Sequence, residues 1–454
     1  MSALKEIKDT VNLSDPFKMD QKSLRELQLE AVQERFLEKR QQIKILDRRA
    51  TEAGIDAIGT LDDLVPLLFT HTNYKSYPET FVDKAQWGNM NVWLQTLTSN
   101  PVQGVELEGI KHADDWIQRL ADSGHHLFAS SGTSGKCSFL DQTSEDIALA
   151  SKAYEQCFIG QWGEQLKGQR NQYQCYVFFP PSGVHRLCEH INQFYTNFVA
   201  APNQLHYVSL EPLGARAGIR AGQLRRAIAD GTALPEEIKA FEEENKLREA
   251  QMAGKVSTIM EHIYQNRDKP QCFGVMWPQA FNIMQAMRER GVKNGGMHPD
   301  SILMLGGGVK GVVLPDDYKE QIYEFFNLPA TSYMNSYGMV EMTGVSPFRH
   351  HLDAYSLPPW IVPLILDKPA ENLINPANGK GVVEGRMALF DLLTDARWGG
   401  LISGDKVAVD FTSADGFAGP LVKSVARYQD LEEGEDKLTC AGTIDSYVRG
   451  AVGL

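Results

Sequence analysis

The sequence predicts an α/β protein. From residue 126 onward, short β-rich apolar runs alternate with stretches of helical periodicity, the pattern expected of parallel strands joined through helices. After residue 360 the pattern changes to strands in succession, as expected of an antiparallel sheet or small barrel on the main body. Residues 20–54 place Leu24, Leu27, Leu29, Val32, Phe36 and Leu37 at helical spacing among charged residues, which predicts a long amphipathic helix or a helix pair stopping at Gly54.

The remaining elements follow in order. Leu61 to Phe69 predicts a short helix ended by Pro66, leading into extended chain toward Tyr77-Pro78. Thr143-Ser144-Glu145 caps a helix reaching residue 160. Gln174 to Phe179 is a β-rich run stopped by Pro180-Pro181, and His190 to Val199 is helical again. Residues 213–255 are charged and helical, broken at Gly231 to Pro235, an insertion suited to covering a site or facing a partner. Cys272 to Trp277 and Ser301 to Leu305 read as buried strands, and Ala330 to Met334 as a further strand. Trp360 to Leu366, Gly381 to Phe390 and Lys406 to Asp410 are the late strands.

Composition excludes several function classes. The chain has 454 residues, 43% hydrophobic and 23% charged, enough for a large core. A net charge of −13 gives no general basic surface for nucleic acid or anionic lipid. The N-terminus has no apolar signal core and no run reaches about eighteen apolar residues, which predicts a soluble, cytoplasmic protein without a membrane span. The cysteines at 137, 157, 175, 188, 272 and 440 form no C-x-x-C pair, so neither a zinc site nor a disulfide framework is indicated.

The most informative stretch is Ser130-Ser131-Gly132-Thr133-Ser134-Gly135-Lys136, a loop leaving the apolar segment His126 to Ala129. Its glycines let backbone N–H groups approach an anion, its hydroxyls add donors, and Lys136 adds a mobile charge, a set suited to a polyphosphate. It is not a Walker A loop: Ser130 stands where the first glycine belongs and Cys137 where the magnesium-binding hydroxyl belongs. The bland alternative is a Ser/Gly surface turn.

This heptapeptide resembles the phosphate loop of the adenylate-forming superfamily, which includes acyl-CoA ligases and peptide-synthetase adenylation domains. Further motifs follow in the family's order. Gly306-Gly307-Gly308-Val309-Lys310-Gly311 comes after a buried strand and resembles the glycine motif bordering the adenine and acyl pockets; its Gly-Gly-x-Val-Lys form is closest to the acyl-protein synthetases. It is not a dinucleotide fingerprint, and a plain tight turn is the alternative. Tyr337-Gly338-Met339-Val340-Glu341 resembles Tyr-Gly-x-Thr-Glu, with Val340 in place of the threonine. Tyr337 can stack on a base, Gly338 lets the backbone pass a nucleotide, and Glu341 can hold Mg²⁺ against phosphate oxygens. Ser403-Gly404-Asp405 resembles Thr-Gly-Asp, whose aspartate binds both ribose hydroxyls, two acceptor oxygens facing a vicinal diol. Gly442 to Gly450 resembles the hinge motif, with Asp445 at the hinge, Thr443 where an arginine usually stands, and Arg449 replacing a lysine.

The resemblance implies the large N-terminal domain of the adenylate-forming fold: layered sheets with flanking helices and a small antiparallel, barrel-like part. The small C-terminal domain of roughly another hundred residues is expected to be absent, because the chain stops at Leu454. The implied regions are a helical segment of the large domain at 1–100, an α/β core with the phosphate loop at 101–358, a mostly antiparallel β part at 359–441, and the hinge motif at 442–454. The implied chemistry is ATP- and Mg²⁺-dependent activation of a carboxylic acid to an acyl-adenylate, with Lys136 and Glu341 catalytic, and acyl transfer to a protein thiol, CoA or an amine. The alternative is a non-catalytic nucleotide- or acyl-adenylate-binding partner protein derived from this fold. Cys440 is the only thiol near the hinge motif, and burial as a small side chain accounts for it equally well.

Three other candidates are weaker. Adjacent His350 and His351 point differently on helix or strand, which argues against a metal site with Asp353. His185 and His190 flank Cys188 without a visible third orienting group, and no G-x-S-x-G elbow is present.

Overall fold

The computed structural model describes residues 2–130, 136–162, 172–184, 186–306, 312–412 and 420–428. In chain order its strands are β1 (Phe69–Thr70), β2 (Phe128–Ala129), β3 (Phe139–Leu140), β4 (Gln174–Val177), β5 (Leu205–Tyr207), β6 (Gln271–Met276) and β7 (Ile302–Gly306). They continue as β8 (Tyr333–Tyr337), β9 (Ser346–Arg349), β10 (Ala354–Ser356), β11 (Ile361–Leu366), β12 (Val382–Asp391), β13 (Gly400–Asp410) and β14 (Leu421–Arg427). With helices interspersed throughout, the class is α/β.

The chain divides into two compact units. The first comprises Met1–Gln156, Gly214–Gln223 and Gly338–Leu454. Its sheet runs β11-β12-β13-β14-β10-β9 with antiparallel pairing, and β1 joins β13 in parallel, Phe69 opposite Leu401. The N-terminal helical stretch is two helices, Gln21–Gln42 and Lys44–Ala53. Asp20 caps the first by accepting from the Ser23 N–H at 2.9 Å, and Gly54 ends the second in the left-handed region at φ 68°.

The buried stripe Leu24, Ala31, Val32 and Phe36 holds the first helix to this unit, and Phe36 meets Trp398 edge to face at 6.3 Å. Burial of such a ring contributes about 2 kcal/mol. The same helix buries Arg35, which donates to the Leu392 carbonyl at 3.2 Å and pairs with Asp395. Amphipathic periodicity therefore locates the helix, and one buried charge fixes its register against the turn after β12.

The second unit comprises Cys157–Leu213 and Leu224–Tyr337. Its sheet is parallel, in the order β8-β7-β6-β4-β5. Strands covered on both faces read as continuous apolar runs: Phe273, Val275, Leu303 and Leu305 join Ile283, Met284 and Phe325 in the core. Helices Trp277–Glu289 and Tyr318–Phe326 supply the latter three side chains.

Several local expectations shift. Leu61–Leu67 is a 3-10 helix with Pro66 inside it, because the tighter turn tolerates the lost donor near its end. Ala330–Ser332 is also a 3-10 turn, so the strand begins at Tyr333 and carries Tyr337 as its last residue. β13 starts six residues before Lys406, at Gly400, and takes Ser403-Gly404-Asp405 into a strand.

Candidate active site

The Ser/Gly loop sits on a two-stranded hairpin in the first unit. β2 and β3 pair antiparallel, with Ala129 opposite Phe139. The Ser130 N–H donates to the Ser138 carbonyl at 3.1 Å, and the Ser138 N–H donates to Ser130 Oγ at 2.8 Å, closing the neck of the loop. Ser131, Gly132, Thr133, Ser134 and Gly135 lie outside the described residues. Lys136 re-enters with its ammonium 4.5 Å from the centroid of the Tyr77 ring. Tyr77 is fixed in turn by its hydroxyl, which donates to the Cys137 carbonyl at 3.0 Å, and by packing on Trp93 and Phe139. Burial pushes the Cys137 thiol up to about 11, opposed by Lys75 and aided by Asp114, which disfavours the nucleophilic thiolate.

Below the loop the hairpin is pinned by a buried pair. His125 Nδ1 lies 2.8 Å from Asp141 Oδ2, and Thr98 Oγ1 donates to the same oxygen at 2.8 Å. His125 precedes β2 and Asp141 follows β3, so their contact ties together the two strands that carry the loop.

Glu341 occupies a second turn of the same unit, where the Met342 N–H donates to the Met339 carbonyl at 3.1 Å. The residue is only 8% exposed. Burial raises the Glu341 carboxyl above the ordinary carboxylate range, opposed by its own N–H, by Arg397 and by Lys75, while Asp405 pushes it further up. Among the described residues no ion pair forms at this carboxylate. Arg397, itself buried, donates from Nη2 to the Glu341 main-chain carbonyl at 3.0 Å. At the N-terminal side of the turn, a Cβ on Gly338 would lie 3.0 Å from Val345 Cγ1, so any larger residue displaces Val345.

Asp405 lies on β13 where the register against β12 slips: Arg386 faces Lys406, yet Ala388 faces Ile402. Ser403-Gly404-Asp405 is thus opposed by Met387 alone. Such a bulge re-aims a side chain at a strand rim. Ser403 Oγ donates to the Met387 carbonyl at 2.7 Å and accepts from the Asp405 N–H at 3.1 Å, which stabilises the irregularity. Arg427 Nε approaches the Asp405 carboxylate at 4.0 Å.

The first unit therefore holds Ser130, Lys136, Gly338, Glu341 and Asp405. Gly306 and Tyr337 belong to the second unit, as the last residues of neighbouring parallel strands β7 and β8. Among the described residues nothing crowds a Cβ at Gly306. Gly307, Gly308, the hinge residues Thr443, Asp445 and Arg449, and Cys440 lie outside the described residues, as does His185. His350 and His351 sit in a 3-10 turn, and no cluster of three metal-ligating side chains occurs among the described residues. A magnesium site of the expected kind needs only one or two carboxylates, the rest of the shell being water and phosphate oxygen. Glu341, buried with no ion-pair partner among the described residues, fits that requirement.

Sequence reasoning misses Tyr74, Lys75, Asp391 and Arg397. Lys75 and Arg397 are the cations whose fields reach Glu341. Lys75 lies just past β1, which pairs with the distant β13, a long-range contact that no spacing reveals. For Arg397 the sign in the sequence is one charge inside Ala396-Arg397-Trp398-Gly399-Gly400.

No protein-family model matches the chain, and no curated protein matches it. Among solved structures it resembles a double mutant of o-succinylbenzoate CoA synthetase (MenE) from Bacillus subtilis bound with its product analogue OSB-NCoA. That match has 14% identity and a TM-score of 0.34, and covers 65% of this chain and 48% of that one. It also resembles the N-terminal domain of FACL13 from Mycobacterium tuberculosis, with 12% identity and a TM-score of 0.35 over 72% of each chain. The chain spans about half the length of the CoA synthetase it matches (48%). At these values neither structure lends a residue role to this chain.

Proposed function

We propose that this chain activates a carboxylic acid with ATP, forming an acyl-adenylate and releasing pyrophosphate, and that the acyl group then passes to a thiol or an amine. The substrate carboxylate oxygen attacks the α-phosphorus, the bond to the bridging oxygen breaks, and pyrophosphate leaves with that electron pair. Catalysis of this step is largely positioning and charge neutralisation.

The observation that carries the reading is the surroundings of Glu341. A buried carboxyl without an ion-pair partner among the described residues, held toward its ionised form by the fields of Arg397 and Lys75, suits a metal ligand. Magnesium, when bound, supplies charge neutralisation at the phosphate oxygens. In this reading residues 130–136 grip the β- and γ-phosphates, with Lys136 as the mobile charge at the mouth of the Ser130–Ser138 neck. Asp405 binds ribose, Tyr337 lies along adenine, and Gly306, Gly307 and Gly308 border the nucleotide.

The test is carboxylate-dependent exchange of labelled pyrophosphate into ATP, screened across fatty, aryl and amino acids. Exchange with one class supports adenylation and identifies the acid. ATP binding without exchange for any acid contradicts activation, and absence of ATP binding contradicts the nucleotide site altogether.

A further inference from the structure

The segment Glu341-Met342-Thr343 is held by three buried side chains, all within the first unit. Arg397 Nη2 donates to the Glu341 carbonyl at 3.0 Å. The Asp391 carboxylate accepts from the Thr343 N–H at 2.8 Å and, with its other oxygen, from the Leu393 N–H at 3.0 Å. Trp360 Nε1 donates to the Thr343 carbonyl at 2.9 Å. Asp391 ends β12 and Arg397 lies three residues before β13, so both arms come from one connection.

Arg397 is expensive for a structural residue. Its Nε and Nη1 have no hydrogen-bond partner among the described residues, and the Tyr74 ring lies 5.8 Å from Cζ. A buried guanidinium using one of its donors stabilises a fold less than an apolar side chain of similar volume. What it supplies is a fixed main-chain anchor and a positive charge beside a buried carboxyl.

Building on the adenylation reading, we infer that Arg397 is a positioning residue: its hydrogen bond to the Glu341 carbonyl sets where the Glu341 carboxylate points, with Asp391 and Trp360 locking Thr343 two residues on. The assignment lies outside every motif in the sequence. It predicts that the contribution of Arg397 to nucleotide binding exists only while Glu341 has a carboxylate to aim.

The experiment is calorimetric titration of the full chain with ATP, with and without magnesium chloride, for wild type, Arg397→Lys, Glu341→Gln and the double variant. The wild type is expected to bind ATP more tightly with magnesium. Arg397→Lys keeps the charge but loses the planar geometry, and should cut that enhancement about ten- to a hundredfold, the usual range for groups that orient a metal ligand. The double variant should match Glu341→Gln alone. Independent, multiplying losses in the double variant overturn the inference while leaving adenylation standing. A wild type that binds ATP with no magnesium enhancement also overturns it, and one that binds no ATP overturns the adenylation reading itself. Where Arg397→Lys does not fold, Trp360→Phe removes only the Thr343 anchor and should give the same magnesium-selective loss in smaller measure; an equal loss with and without magnesium refutes the clamp.

Discussion

His125 and Asp141 form a buried pair at 2.8 Å across the base of the hairpin that presents residues 130–136. His125 Nε2 also lies 3.1 Å from the Pro101 carbonyl, and the Asn100 side-chain amide lies 3.1 Å from Nδ1. Burial pulls the His125 pKa down, but the Asp141 hydrogen bond and charge outweigh it and leave it raised above 6.5.

A histidine whose folded pKa is raised binds its proton more tightly when folded. Its stabilisation is full below the unfolded pKa, near 6.5, and is lost as pH rises through the folded value. Denaturant midpoints of the wild type should therefore fall between pH 6 and pH 9. His125→Asn should abolish that slope and, by leaving Asp141 buried and unpaired, cost about 3 kcal/mol at pH 6. A slope that survives in the variant rules His125 out as its source.

Asp395 gives the opposite sign at acid pH. Burial pushes its carboxyl up, but Arg35 and Lys8 outweigh burial and hold it below the ordinary carboxylate value. That stabilisation is present above an unfolded pKa of about 3.9 and vanishes as pH falls through the lower folded value. Asp395→Asn should destabilise the chain at pH 7 by about 2 kcal/mol, since it leaves the buried Arg35 only Glu38 at 3.5 Å as a carboxylate partner, and should flatten the unfolding slope below pH 4. Melting curves at pH 3 and pH 7 check both.

Gly274 is fixed by one neighbour. A Cβ there would stand 2.2 Å from the Tyr195 hydroxyl, which is buried and without a hydrogen-bond partner among the described residues. Gly274→Ala should cost about 2 kcal/mol. Tyr195→Phe should be neutral or stabilising and should recover part of the Gly274→Ala loss. Chemical unfolding of the two single variants and the double variant tests the coupling.

The described thiols should be inert in the native chain. Cys137, Cys157, Cys175, Cys188 and Cys272 are buried, and burial pushes both Cys137 and Cys188 up to about 11. Iodoacetamide at pH 8 should modify none of the five before unfolding, as read by mass spectrometry of digests. Rapid labelling at any of them would reopen it as an acyl acceptor.

Much of this architecture is legible in sequence because it depends on local pattern. The helix Gln21–Gln42 announces itself through its apolar stripe, and β6 and β7 through continuous apolar runs. The strand leading into residue 130 is legible because a Ser/Gly stretch follows an apolar one, whereas its partner Phe139–Leu140 is not. What escapes depends on chain segments far apart. The field of Lys75 acts on Glu341 from a segment just past β1, which pairs with the distant β13, and Arg397 anchors Glu341 across more than fifty residues. The apolar alternation starts the late strand at Lys406 and leaves Asp405 outside it, yet β12 and β14 pair on either side and hold Asp405 in a bulged strand. Local propensity loses there to the sheet.

The most direct test of the central claim is the release of AMP and pyrophosphate from ATP, coupled to capture of the activated acid by hydroxylamine, in wild type, Lys136→Ala and Glu341→Ala. Adenylation predicts acid-dependent hydroxamate and pyrophosphate in equal amounts from the wild type, reduced at least about a hundredfold in each variant. Hydroxamate formation unaffected by either substitution would contradict this assignment of the site, and its absence from the wild type would contradict adenylation.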